Sequence, residues 1–167
     1  MTSTLSSSSS SPSSSLRLEK ITPDNVAAAC RLQVRPDQQD LVAPVAWSLA
    51  EAYANPEMAW PRLVFDGDEL VGFVMGCFDP DNPIAAYRCG FWRLNIAADR
   101  QGRGYGRFAV AAVLAEVRRR GESRATVTWV PGEHGPQEFY LKLGFRPTGE
   151  VLHGEIVAEI HLSEFQG

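Results

Sequence analysis

Arg93-Leu-Asn-Ile-Ala-Ala-Asp-Arg-Gln-Gly-Arg-Gly-Tyr-Gly-Arg107 is the stretch around which the chain is organised. An apolar segment ends near Ala97. Gly102, Gly104 and Gly106 then lead into a helical pattern of Val110, Val113, Leu114 and Val117. A strand, a glycine-rich turn and a helix N-terminus together make an anion site. Glycine lets the backbone approach closely, and the free N–H groups of the first helical turn point at bound oxygens. Such a run of N–H groups can surround a pyrophosphate without a lysine. The order G-x-G-x-G does not fit a dinucleotide fingerprint, which reads G-x-G-x-x-G, and the G-K-[ST] of a Walker loop is absent.

Composition narrows the alternatives. The 167 residues are enough for one domain with a sizeable core, and the hydrophobic and charged fractions, 44% and 22%, are ordinary for a globular protein. A net charge of -4 argues against a nucleic-acid partner and is compatible with a cationic small molecule. Cys30, Cys77 and Cys89 lack the close spacing of a zinc site and read as buried free thiols in a reducing compartment, which places the protein in the cytoplasm. No metal is expected, and no apolar run is long enough to span a membrane. Residues 1–15 are almost all serine and threonine and read as a disordered tail, leaving 16–167 as a single domain.

Along the chain, Leu16 to Ile21 alternates as a strand. Thr22-Pro23-Asp24 opens a helix to about Val34 that buries Val26, Ala29 and Cys30. Ser48-Leu-Ala-Glu51 has capping-box form and predicts a short helix to about Ala54. Arg62–Phe65 and Leu70–Phe78 flank the turn signal Asp66-Gly67-Asp68. Ala86 to Ala97 is the strand feeding the glycine loop, with Gly90 marking a bulge or a close approach. Arg118-Arg119-Arg120-Gly121 closes the next helix with cations and a glycine cap. Arg124–Val130, Gly135–Leu143, Phe145–Glu150 and Glu155–Leu162 complete the order β-α-α-β-β-β-α-β-α-β-β, a mixed α/β sheet.

Gln101-Gly102-Arg103-Gly104-Tyr105-Gly106 resembles the Q-x-x-G-x-G pyrophosphate loop of the GNAT acetyltransferases. Phe139-Tyr140-Leu141-Lys142-Leu143-Gly144-Phe145 is similar to that family's F-Y-x-x-L-G-F segment, and the resemblance covers roughly Leu16 to Leu162. It implies a central, mostly antiparallel sheet that splays at the coenzyme A site and is flanked by helices. It also implies an acetyl-CoA-dependent N-acetyltransferase acting in a ternary complex. Pantetheine contacts then fall on the main chain of Leu94, Asn95 and Ile96. Pyrophosphate contacts fall on Gln101, Gly102, Arg103, Gly104, Tyr105 and Gly106, with Arg107 at the helix start, and Tyr140 is the acid for the leaving thiolate. Many family members carry asparagine shortly after the strand that ends here at Val130. Pro131-Gly-Glu-His-Gly-Pro136 departs from that pattern.

Pro44–Tyr53, Leu70–Phe73, Thr148–Glu150 and Gly154-Glu155 look like the spermine/spermidine (diamine) acetyltransferase branch, which implies a small amine as acceptor; the wider family resemblance implies a homodimer. Trp47, Glu51 and Glu155 are the acceptor-side candidates. Trp47, Tyr53, Trp60, Phe91 and Trp92 are either core or the wall of a pocket for a cationic amine. An alkylamine with a pKa of about 10 arrives protonated. Glu51, Asp40, Glu155 and Glu133 are candidates to take its proton, and the sequence does not choose among them. A protein N-terminal or lysine acetyltransferase, and a non-catalytic acetyl-CoA sensor, are the alternatives.

Overall fold

The computed structural model describes residues 15–167, and the serine-rich tail expected over residues 1–15 lies, but for Ser15, outside the described residues. Seven strands form one sheet in the order β1-β2-β3-β4-β5-β7-β6. They are β1 (Leu16–Glu19), β2 (Ala59–Asp66), β3 (Glu69–Phe78), β4 (Cys89–Ile96), β5 (Arg124–Trp129), β6 (Arg146–Leu152) and β7 (Glu155–His161). The helices are α1 (Val26–Arg31), α2 (Val45–Ala54), α3 (Tyr105–Arg119) and α4 (Gln137–Leu143). No helix among the described residues is long and apolar enough to cross a membrane.

β3 is the axis of the sheet, and its unbroken apolar run follows from cover on both faces. Phe73 and Met75 pack with Ala29 of α1 and Val45 of α2. Val74 and Phe78 pack with Val110, Val113 and Val117 of α3. Each fully buried Val, Phe or Met here contributes roughly 1.5–3 kcal/mol over its exposed state. β2 and β3 pair antiparallel around the two-residue turn Gly67-Asp68, as the Asp-Gly signal predicts.

The join between β4 and β5 differs from every other. It is the parallel pairing of the sheet, and it consists of a single residue pair, Gly90 with Thr126. A Cβ on Gly90 would lie 2.0 Å from the Thr126 carbonyl oxygen, so the close-approach meaning of this glycine is the observed one. Thr126 Oγ1 is in turn bonded to the carbonyls of Ala86 and Cys89. Beyond this pair the strands separate, and the sheet opens.

Several local expectations are corrected. Ser48 does not cap α2, which starts three residues earlier at Val45 behind Pro44. Ser48 is fully buried inside the helix, with its hydroxyl turned back 3.4 Å to the Pro44 carbonyl. α1 is shorter than predicted because Asn25 takes the cap position from Thr22. The Asn25 side chain accepts from the Thr22 N–H at 2.8 Å and donates to the Lys20 carbonyl at 2.9 Å. Cys30 is exposed, whereas Cys77 is buried and Cys89 partly so. Burial pushes both of the latter thiols up to about 11.

The arginine run at the end of α3 binds within its own helix. Arg119 and Arg120 both reach Glu116, at 2.6 and 2.8 Å. The Arg120 guanidinium also covers the Phe78 ring at 3.8 Å. The Arg119 hydrogen bond, and after it that of Arg120, hold the Glu116 carboxyl down at about 2 against an ordinary 4.5. A carboxylate depressed on folding stabilises the fold above its unfolded value, and that stability is lost as pH falls through the folded value. In thermal melts against pH, the native protein should therefore exceed Glu116→Gln near neutrality. The gap should close as the pH falls from 4.5 to about 2.

Candidate active site

Where β4 leaves β5, two cavities open. The first, about 580 Å³, runs along β4 to the start of α3 and is lined by Leu94, Ile96, Gln101, Gly102, Gly104, Tyr105, Gly106 and Arg107. The second, about 430 Å³, is lined by Trp92, Arg93, Trp129, Tyr140, Asp40 and Glu155, among others. Leu41, Val42, Leu94 and Pro136 belong to both walls, so the cavities adjoin at the splay.

The first cavity has the features of an anion cradle. Gly102 and Gly104 sit at φ +75 and +87, a region costly to other residues, and the space beside each is open. No side chain caps α3, and its first turn carries Arg107 and no acid. The four orphan N–H groups of that turn are left for a ligand, at the positive end of the helix dipole. Arg35, Arg100 and Lys142 add cationic lining. Arg100 is paired with Glu69 at 2.8 Å and Arg35 with Asp37 at 3.2 Å, whereas Arg107 has no ion-pair partner among the described residues. These residues fit a pyrophosphate-bearing coenzyme.

The side chains of the loop hold it in place. Gln101 donates to the Ile96 carbonyl at 3.1 Å and to Gln38 Oε1 at 2.6 Å, fastening the loop to the segment between α1 and α2. Tyr105 turns inward, and its hydroxyl donates to Asp66 at 2.6 Å. Arg103 is exposed and does not line the cavity. Asn95 is buried on the opposite face of β4, donating to the Ala43 carbonyl at 3.0 Å.

Tyr140 stands in the second cavity, at 5% exposure, within an aromatic cage. Its ring stacks on Trp129 at 5.7 Å and 9°, and meets Phe139 and Phe145 edge-on at 5.0 and 5.3 Å. Burial pushes its hydroxyl well above the ordinary tyrosine value, so the group carries its proton throughout the working pH range.

The acceptor-side candidates separate. Glu155 lines the second cavity and accepts a hydrogen bond from the Thr128 hydroxyl. Asp40 lines it from the α1–α2 segment, and Phe91 and Trp92 contribute aromatic wall. Glu51 lies outside both cavities; released from the predicted capping box, it pairs with Arg93 at 2.9 Å and neutralises that charge. Trp47 and Tyr53 are exposed on α2, at 64% and 89%, away from both cavities. Trp60 packs against Phe78 and under Arg62. Glu133 and His134 line the first cavity, so Glu133 is not on the acceptor side. Gln38, Arg35 and Lys142 carry no local signal of a site. Only the fold brings them to the cleft.

A seven-stranded sheet opens beside a glycine loop, and two adjoining cavities meet at the opening. A profile of the acetyltransferase (GNAT) family matches residues 22–145, and the chain belongs to that family. Among solved structures, an acetyltransferase from Thermus thermophilus is similar at TM-score 0.70 and 22% identity, covering 88% of this chain and 97% of that one. An N-acetyltransferase from Thermoplasma acidophilum in complex with coenzyme A gives 0.65 and 13%, covering 88% and 99%. A spermidine N-acetyltransferase from Vibrio cholerae gives 0.65 and 16%, covering 92% and 97%. At these identities the likeness concerns the fold. No curated protein sequence matches the chain.

Proposed function

We propose that the protein is an acetyl-CoA-dependent N-acetyltransferase whose acceptor is a primary amine on a small molecule, polyamine-like or an amine-bearing antibiotic. The observation that carries this reading is the pair of adjoining cavities, one built for an anion and the other lined by Asp40, Glu155 and Tyr140. Acetyl-CoA supplies an activated thioester. The N–H groups around Gly102, Gly104 and Gly106 hold its pyrophosphate, and the main chain of Leu94 to Ile96 aligns the pantetheine arm. Tyr140 directs its O–H at the leaving sulfur.

The second cavity favours a cationic guest. Arg93 is offset by Glu51, which leaves the carboxylates of Asp40 and Glu155 without an ion-pair partner among the described residues. Trp92 beside them suits an ammonium group. The homodimer and the cytoplasmic location expected from the sequence belong to this proposal.

Thiol release from acetyl-CoA tests it, run against spermine, spermidine, putrescine, aminoglycosides, amino acids and a lysine peptide. Saturable release with one small amine is the expected result. Release with the lysine peptide alone would move the acceptor to a protein. Tight acetyl-CoA binding without release on any amine would make the protein a sensor.

A further inference from the structure

The reaction proposed above leaves one proton without a destination. An alkylammonium must lose a proton before its nitrogen can attack, and Tyr140, held protonated by burial, cannot receive it. We infer that Glu155 takes that proton, with Thr128 as the residue that positions its carboxylate. This assignment rests on the acetyltransferase reading and adds to it.

Register fixes the geometry. Thr128 lies opposite Val157 and Trp129 opposite Ile156 in the β5–β7 ladder. Directly opposed residues share a face and neighbours alternate. Glu155, two residues before Val157, is thus on the Thr128 face, and the hydrogen bond from the Thr128 hydroxyl agrees. Trp129, and with it the stacked Tyr140 ring, is on the other face. The splay is the passage between the two faces, and all four residues line the cavity at its mouth. A proton acceptor on one side and an O–H donor on the other is the arrangement that attack on a thioester through the gap requires.

The competing acids are less suited. Glu51 is committed to Arg93, and Glu133 lines the coenzyme-side cavity. Asp40 is exposed on the segment between the helices, where it can attract a cation but is not oriented by a strand. The other titratable groups facing Glu155 are Tyr87 in the turn before β4 and Arg93 and Asp40 across the cavity, with His153 exposed in the adjoining turn. The hydroxyl of Tyr87 is raised by burial first and by the charge of Glu155 second, which places that charge close to it.

Atoms and charges balance. The ammonium gives one proton to the Glu155 carboxylate, which passes it to water. The nitrogen bonds to the acetyl carbon as the C–S bond breaks with its electron pair on sulfur. The second nitrogen proton is shed in that step and replaces the one that Tyr140 gives to the thiolate.

The pH profile of Glu155→Gln is the test, with spermidine and glycine amide as probes and acetyl-CoA saturating. In the native protein the base offsets the protonation of the amine, so kcat/KM for spermidine should vary little between about pH 6 and 9. In the variant only free amine reacts, and kcat/KM should rise about tenfold per pH unit toward the amine pKa of about 10. Glycine amide, an α-amine of pKa about 8, should suffer a loss roughly 100-fold smaller at pH 7. Glu155→Asp should recover part of the flat profile. A Glu155→Gln profile as flat as that of the native protein would overturn the assignment while leaving the acetyltransferase reading intact. Failure of the native protein to release thiol with these two amines or any small amine of the panel above, despite bound acetyl-CoA, would overturn the acceptor reading itself.

Discussion

Tyr140→Phe will lower kcat by roughly 10²–10³-fold while leaving acetyl-CoA affinity and the folded structure close to native. The substitution removes one oxygen and nothing else. The ring is held by Trp129, Phe139 and Phe145 on three sides, contacts that phenylalanine keeps. Burial alone raises the hydroxyl, with no hydrogen bond contributing among the described residues, so its loss breaks no internal bond. Because burial keeps the hydroxyl protonated, the native profile should show no basic limb from this residue, and the variant should be depressed evenly across pH. Steady-state kinetics beside a direct acetyl-CoA titration separate chemistry from binding. Turnover unchanged in a folded variant would remove Tyr140 from the reaction.

Gly90→Ala should destabilise the protein by about 3 kcal/mol or more, the upper range of overpacking effects. The added methyl would sit 2.0 Å from the Thr126 carbonyl oxygen and 2.8 Å from the Thr126 carbonyl carbon and nitrogen. These are backbone atoms, which cannot rotate away as a side-chain end can. Thr126 is also pinned through its hydroxyl to Ala86 and Cys89. Relief requires moving β4 from β5 at their one point of pairing. Gly67→Ala is the matched control: Gly67 is left-handed, at φ +57, but faces open space, so its cost should be only about 1–2 kcal/mol. Denaturant midpoints of the two variants measure both effects. A Gly90→Ala midpoint no lower than that of Gly67→Ala would show that the β4–β5 contact yields without penalty.

The sequence was most legible where backbone conformation is restricted. Gly102, Gly104 and Gly106 announce a loop because a side chain there is strained or crowded, and alternation in β5 and the run in β3 announce their own burial. Ser48 shows the opposite case. The S-x-x-E pattern is compatible with a cap, but Pro44 starts the helix first, and tertiary packing on Leu63 and Phe73 draws Val45 inward. Glu51 follows from the same shift: one helical turn decides whether it caps a helix or meets Arg93. The acceptor side was the least legible part of the site. Asp40, Arg93, Thr128 and Glu155 come from four separate segments, and no spacing in the chain relates them. The end of β4 and the glycine loop form one contiguous stretch, and contiguity is what makes a motif visible before folding.

A sheet of seven strands ordinarily has two edges; by parting after Gly90, this one has four. The inner edges of β4 and β5 present unpaired backbone groups, which are templates for any extended chain. Leu41, Val42 and Pro136 stand at that opening and line both cavities, so the free inner edges look into the cavities rather than onto a neighbouring strand.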